Sequence, residues 1–167
     1  MRKLVIVRHA KSSWAEPGQP DIERPLNDRG KADAPEMARR VEEKGLKVDH
    51  LLSSPAKRAH KTAKLFAGEL GLDKDDIQLA PELYEALPEA FYKVVSTLSD
   101  KHKTVALFSH NPGITGFVNT LTNVHVDDMP TCAVFAVSIE TDSWANFKTA
   151  EKKFLFFDYP KNPIGDL

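Results

Sequence analysis

Four consecutive aliphatic residues, Leu4-Val5-Ile6-Val7, lead without a break into Arg8-His9. A strand with one wet face alternates apolar and polar residues, and this one does not. The run therefore predicts a strand buried on both faces of a mostly parallel sheet, with helices packed above and below. A polar pair at the end of such a strand is costly to bury unless something pairs with it.

The rest of the chain fits that frame. Residues 105–108 form a second buried run, Leu51-Leu52 a shorter one, and 133–139 and 154–157 read as later strands. Ala34, Met37, Ala38 and Val41 predict a helix over about 27–44, stopped by Gly45. Pro35 inside it predicts a kink or a late start. Ala56, Ala59, Ala63, Phe66 and Leu70 predict a helix ended by Gly71, with Ser54 as N-cap and Pro55 at the first helical position. Further helices are expected over 90–98 and from Asn111-Pro112 to about 121, and residues 11–24 read as a long loop. Strands alternating with helices imply right-handed βαβ units. The expected fold class is α/β, a three-layer αβα arrangement with a mostly parallel central sheet, and residues 1–167 are expected to form a single domain.

Three strand ends carry groups able to bind or attack a phosphate. The first gives Arg8-His9. The second ends at Ser53-Ser54-Pro55, with Arg58 in the first turn of the following helix. The third gives Ser109-His110, followed at once by Asn111-Pro112-Gly113. In an open parallel sheet these carboxyl ends share one edge, where such folds place ligands. Two arginines, two imidazoles and two helix N-termini converging there suit a phosphoryl group. Each piece alone has an ordinary reading: a lone His is more often structural, and Arg58 on a helix is usually a solvated charge. The conjunction carries the argument. His50, His60, His102 and His125 lack such a setting and take the ordinary reading.

Composition narrows the partners. The formal net charge is −1, so no global pull toward nucleic acid or an anionic membrane is expected. Cys132 is the single cysteine, which excludes an internal disulfide and a multi-cysteine metal site. Nothing approaches a membrane span, and the N-terminal apolar run is too short for a signal peptide, so a cytoplasmic location is expected.

The segment Leu4-Val5-Ile6-Val7-Arg8-His9-Ala10 resembles the signature of the histidine phosphatase (phosphoglycerate mutase-like) superfamily. Arg24-Pro25-Leu26-Asn27-Asp28-Arg29-Gly30, the stretch from Ser53 to Ala63, and Phe108-Ser109-His110-Asn111-Pro112-Gly113 are similar to its other motifs, in family order. The short chain and the last motif most resemble small bacterial phosphohistidine phosphatases of the SixA type. The resemblance implies His9 as a nucleophile that becomes phosphorylated, with Arg8, Arg58, His110 and Asn111 holding the phosphoryl group. The family's proton donor follows a Leu-x-Glu pattern, which points to Glu85 in Leu83-Tyr84-Glu85, with Glu82 as runner-up. Ala10 replaces a glycine common in the motif, and Lys11 a frequent acidic residue.

No metal or cofactor is expected, because cationic side chains supply the charge that phosphoryl transfer needs. Only 18 residues separate Glu85 from Thr104, leaving no room for the large cap insertion of the mutase relatives. A phosphatase is therefore expected, with a phosphorylated substrate, favoured as a phosphohistidine-containing protein. A small-molecule phosphate ester phosphatase, a mutase, and a non-catalytic phosphate- or phosphopeptide-binding module stand as alternatives. A cysteine phosphatase does not, since the residue six after Cys132 is Ser138, not arginine. Nucleotide-binding glycine loops are absent, and paired acidic metal ligands beside His9 and His110 are missing.

Overall fold

A computed structural model describes residues 1–162. Six strands, β1 (Arg2–Arg8), β2 (His50–Ser53), β3 (Gln78–Leu79), β4 (Thr104–Ser109), β5 (Val134–Ile139) and β6 (Lys152–Asp158), form one sheet. Their order is β3-β2-β4-β1-β5-β6. The first four run parallel; β5 is antiparallel to β1, and β6 to β5.

The residues of β1 alternate between two cores, as the strand period requires. Leu4 and Ile6 pack with Phe91, Val95, Ile114 and Phe117 from helices α3 (Pro88–Ser96) and α4 (Gly113–Val118). Val5 and Val7 pack with Met37, Val41, Ala63 and Phe66 from helices α1 (Asp28–Glu43) and α2 (Lys57–Leu70). All four β1 residues are fully buried, and the three-layer αβα arrangement follows from that double burial.

Several boundaries differ from the sequence expectation. Helix α1 starts at Asp28 despite Pro35, with the Asn27 side chain accepting the Gly30 N–H at 2.9 Å. The buried residues Ala34, Met37, Ala38 and Val41 surround the proline and offset the backbone bond it removes. Helix α2 starts at Lys57 rather than Pro55, because Ala56 is still extended and serves as the N-cap. Helix α4 stops at Val118, not near 121. There Asn119 bonds the backbone of Val126 in both directions, at 2.8 Å each, and turns the chain away. The long loop holds a 3-10 turn over Asp21–Glu23, and the short exposed edge strand β3 has no apolar pattern to announce it. Helix α2 does end at Gly71, in the left-handed conformation at φ 73°.

Candidate active site

Neighbouring parallel strands bring the predicted groups together. Register places Arg8 beside Ser109 and Ser53 beside Phe108, so His9, Ser54 and His110 leave the sheet at one edge. The backbone of His9 is tied on both sides: its N–H donates to Ser109 and its carbonyl accepts from Cys132, each at 3.0 Å. Arg8, His9, Arg24, Arg58, His110 and Asn111 line a cleft of about 320 Å³, which Trp14 also borders.

His9 Nδ1 lies 2.7 Å from the carbonyl oxygen of Ala10. A carbonyl only accepts, so Nδ1 carries the hydrogen and Nε2 keeps its lone pair. Burial, with help from His110, Arg58 and Arg8, pushes the His9 pKa down to about 3, so the ring is neutral at physiological pH. Burial followed by Arg58 does the same to His110, also to about 3. The two rings are 5.1 Å apart. His110 Nε2 shares a 2.7 Å hydrogen bond with Ser54 Oγ, while its Nδ1 is buried without a partner among the described residues. This bond draws Ser54, expected to cap α2, into the site, while its Oγ also accepts the Ala56 N–H at 3.2 Å.

Arg58 is buried and fixed by Asp21, a loop residue that no sequence pattern marks. Its guanidinium donates to the Asp21 backbone oxygen at 2.7 Å and to Oδ2 at 2.9 Å. Asp21 also accepts from the Tyr84 hydroxyl at 2.6 Å and from Arg24 Nε at 3.1 Å. The Tyr84 bond, followed by those from Arg58 and Arg24, holds the Asp21 carboxyl well below the usual carboxylate range. Arg24 in turn lies 3.5 Å from the centre of the Trp14 ring, which is 77% exposed. Thr62, one turn beyond Arg58, accepts the Ala10 N–H at 3.0 Å and donates to the Arg58 carbonyl. Asp21 and Trp14 lie in an aperiodic loop, where no pattern could have marked them; Thr62 sits four residues after Arg58, and that spacing was a usable signal.

The remaining expected residues are placed differently. The Asn111 side chain is engaged by Asp128, Met129 and Thr115, leaving its backbone N–H without a partner among the described residues. Glu85 is exposed, has φ 54°, and makes no hydrogen bond or ion pair among the described residues; Glu82 is exposed too. Neither lines the cleft. The turn that carries Glu85 is nevertheless pressed against the loop after His110. A Cβ on Gly113 would stand 1.9 Å from the Ala86 oxygen, and Ser109 Oγ donates to the Leu83 carbonyl at 2.6 Å. Gly30 plays the same part for the loop after His9, where a Cβ would meet the Lys11 oxygen at 2.2 Å. His50 and His102 stack on each other at 3.8 Å, away from this edge.

Among the described residues, no helix is long and apolar enough to cross a membrane, and no group of three or more His, Cys, Asp or Glu is placed to hold a metal.

Comparison with known proteins bears on this geometry. The model of the histidine phosphatase superfamily (branch 1) matches residues 4–90. An uncharacterized chloroplastic protein of Arabidopsis thaliana is 26% identical over 151 residues, covering 86% of this chain and 69% of that one. The mitochondrial serine/threonine-protein phosphatase Pgam5 of Drosophila mojavensis is 30% identical over 87 residues, 52% of this chain and only 29% of its own length. Among solved structures, the protein histidine phosphatase SixA complexed with tungstate superposes with a TM-score of 0.79 at 20% identity, over 95% of this chain and 97% of that one. A mycobacterial glucosyl-3-phosphoglycerate phosphatase complexed with VO3 gives 0.73 at 16% identity, over 95% and 100%. At such identities the likeness is one of fold.

Proposed function

We propose, because the chain belongs to the histidine phosphatase superfamily, that it is a metal-independent phosphatase which passes a phosphoryl group through His9. The observation that carries this reading is the 2.7 Å bond from His9 Nδ1 to the Ala10 carbonyl, which directs the lone pair to Nε2. Burial keeps that nitrogen unprotonated. In the first step Nε2 attacks phosphorus, the bond to the leaving group breaks, and the leaving atom takes a proton from Glu85, or from Glu82 as the second candidate. In the second step water attacks the phosphorus carried on Nε2. Glu85 takes back a proton, the P–N bond breaks, and inorganic phosphate departs.

Arg8, Arg58 and His110 hold the three phosphoryl oxygens while charge spreads over them, and Asn111 adds its backbone N–H. Ser54 has a hydroxyl hydrogen to give to His110 Nε2; that donation leaves Nδ1–H as the donor to substrate. This assignment uses an imidazole nitrogen that is buried without a hydrogen-bond partner among the described residues.

The favoured substrate is phosphohistidine on a protein. Of the 18 residues between Glu85 and Thr104, α3 takes Pro88–Ser96, so this interval supplies no cap over the cleft among the described residues. An uncovered cleft admits water to the phosphoenzyme, which favours hydrolysis over transfer to a second hydroxyl, and leaves space for a bulky donor. The fold likeness to a protein histidine phosphatase supports the same choice. Likeness to a sugar-phosphoglycerate phosphatase supports a small phosphate ester as the second reading.

Trapping the intermediate tests the chemistry. Alkaline quenching should leave phosphate on His9, acid should release it, and His9→Ala should neither trap phosphate nor turn over. An acid-stable phosphoprotein, or more than a few per cent of activity in His9→Ala, would overturn the mechanism. Catalytic efficiency on a phosphohistidine-bearing phosphotransfer domain, against a panel of small esters, decides between the two substrates.

A further inference from the structure

The outer face of α2 carries a feature that the chemistry above does not use. Lys57, Lys61 and Lys64 recur at i, i+4 and i+7, which aligns them along one side of the helix. With His60, and with Lys31 from α1, they surround a hollow of about 410 Å³ completed by Pro25 and Leu26. No acidic side chain lines it, and none of the four ammonium groups has a hydrogen bond or ion pair among the described residues. Between Asp49 and Glu69 the sequence contains no Asp or Glu at all.

That arrangement works against the helix that bears it. Cations in a first turn oppose the helix dipole, and like charges four residues apart repel. The first turn of α2 holds Lys57 and Arg58 and no acid. Helix α1 shows the opposite habit: Arg29 is paired with Asp33 at 3.0 Å, and Arg39 and Arg40 are paired with Glu36. A chain with a net charge of −1 has no general excess of cations to explain the stripe. Recognition of something anionic does explain it.

The position and length of the stripe identify that partner. Lys57 precedes Arg58, and Pro25 follows Arg24, so the hollow backs onto the wall of the phosphoryl cleft. From Lys57 to Lys64 the helix rises about 10 Å, at 1.5 Å per residue. That is too long for a single phosphate and suits several acidic side chains on a folded surface. We infer that this face of α2 is a docking exosite for an acidic surface of the phosphorylated protein substrate. The inference rests on the phosphoprotein reading above and adds where that protein is gripped. Complementary charge would speed encounter at low salt and hold the phosphorylated residue near His9.

Charge reversal by Lys61→Glu with Lys64→Glu is the test. It relieves repulsion along α2, so the fold is retained. The ratio of kcat/KM on an acidic phosphohistidine-bearing phosphotransfer domain to kcat/KM on free phosphohistidine should fall at least tenfold, through KM. The salt dependence of the domain reaction should flatten at the same time. Lys61→Gln with Lys64→Gln should fall between wild type and the reversal. An unchanged ratio, or equal losses on both donors, overturns the exosite. Stronger competition by duplex DNA or phosphatidylserine vesicles than by the unphosphorylated domain also overturns it, by assigning the stripe to another polyanion. Failure of the underlying reading has a different signature: the wild type itself would favour a small ester over the domain.

Discussion

Asp21 holds Arg58 at two points, through its backbone oxygen at 2.7 Å and its carboxylate at 2.9 Å. A guanidinium fixed in this way meets a phosphoryl group without first losing its own freedom, which is how pre-organised electrostatics lowers a barrier. Asp21 is a positioning residue on this view, since it reaches the substrate through Arg58.

Asp21→Asn should therefore lower kcat/KM. Hydrogen bonds to charged groups contribute about 1.5–3 kcal/mol, and because the Asp21 side chain is half exposed the lower end applies, roughly tenfold. A double variant distinguishes positioning from a general loss of fold. Asp21→Asn combined with Arg58→Ala should be no slower than Arg58→Ala alone, whereas additive losses would separate the two residues.

Glu85→Gln should slow substrates with poor leaving groups far more than p-nitrophenyl phosphate, whose leaving group needs little protonation. A larger selective loss at Glu82→Gln would move the role to Glu82. Equal losses across leaving groups at both positions would remove both carboxyls from proton transfer.

The buried imidazoles make acid destabilising. His9 and His110 are pushed down to about 3 in the folded chain, whereas an unfolded histidine titrates near about 6.5. The unfolded state thus binds protons first as pH falls. Stability from these two groups is complete above about 6.5 and is lost progressively toward the folded values. Urea midpoints should drop over that window, and His110→Gln should flatten the drop. Ring nitrogen NMR should show both side chains neutral at pH 5; a midpoint of 6 or above for His9 would contradict the burial argument.

Gly113→Ala places a methyl group where the Ala86 oxygen already stands, 1.9 Å away. Overpacking of this kind costs about 1–3 kcal/mol, so the melting temperature should fall. Moving Ala86 also moves Glu85. The variant should lose more activity on poor leaving groups than on p-nitrophenyl phosphate, and a uniform loss would show that the turn does not carry the acid.

Much of the site was legible because β1, β2 and β4 announce themselves by unbroken aliphatic runs. A parallel sheet then forces the residues after them, His9, Ser54 and His110, to one edge. Arg58 was legible because a helix starting just after β2 turns its second residue back toward that edge. Asp21 was not: it belongs to a loop whose path depends on tertiary bonds to Arg24, Arg58 and Tyr84. The start of α2 at Lys57, rather than at Pro55, was not legible either. Ser54 Oγ does accept the Ala56 N–H, but Ala56 stands at the N-cap, and the Ser54 hydroxyl also bonds His110, 56 positions along the chain.

The bonding of β1 also divides the proposed catalytic residues by local stability. His9 is tied to Ser109 and Cys132 beside a strand paired along both edges, so its amide can exchange hydrogen only when the sheet opens. Glu85 sits on an exposed turn at φ 54°, tethered through Leu83 and Ala86, and such a turn can open while the sheet stays closed. The proposed nucleophile and the proposed proton donor thus belong to separate cooperative units. Substitutions over 81–87 can retune the rate of turnover without drawing on the global stability that β1 anchors.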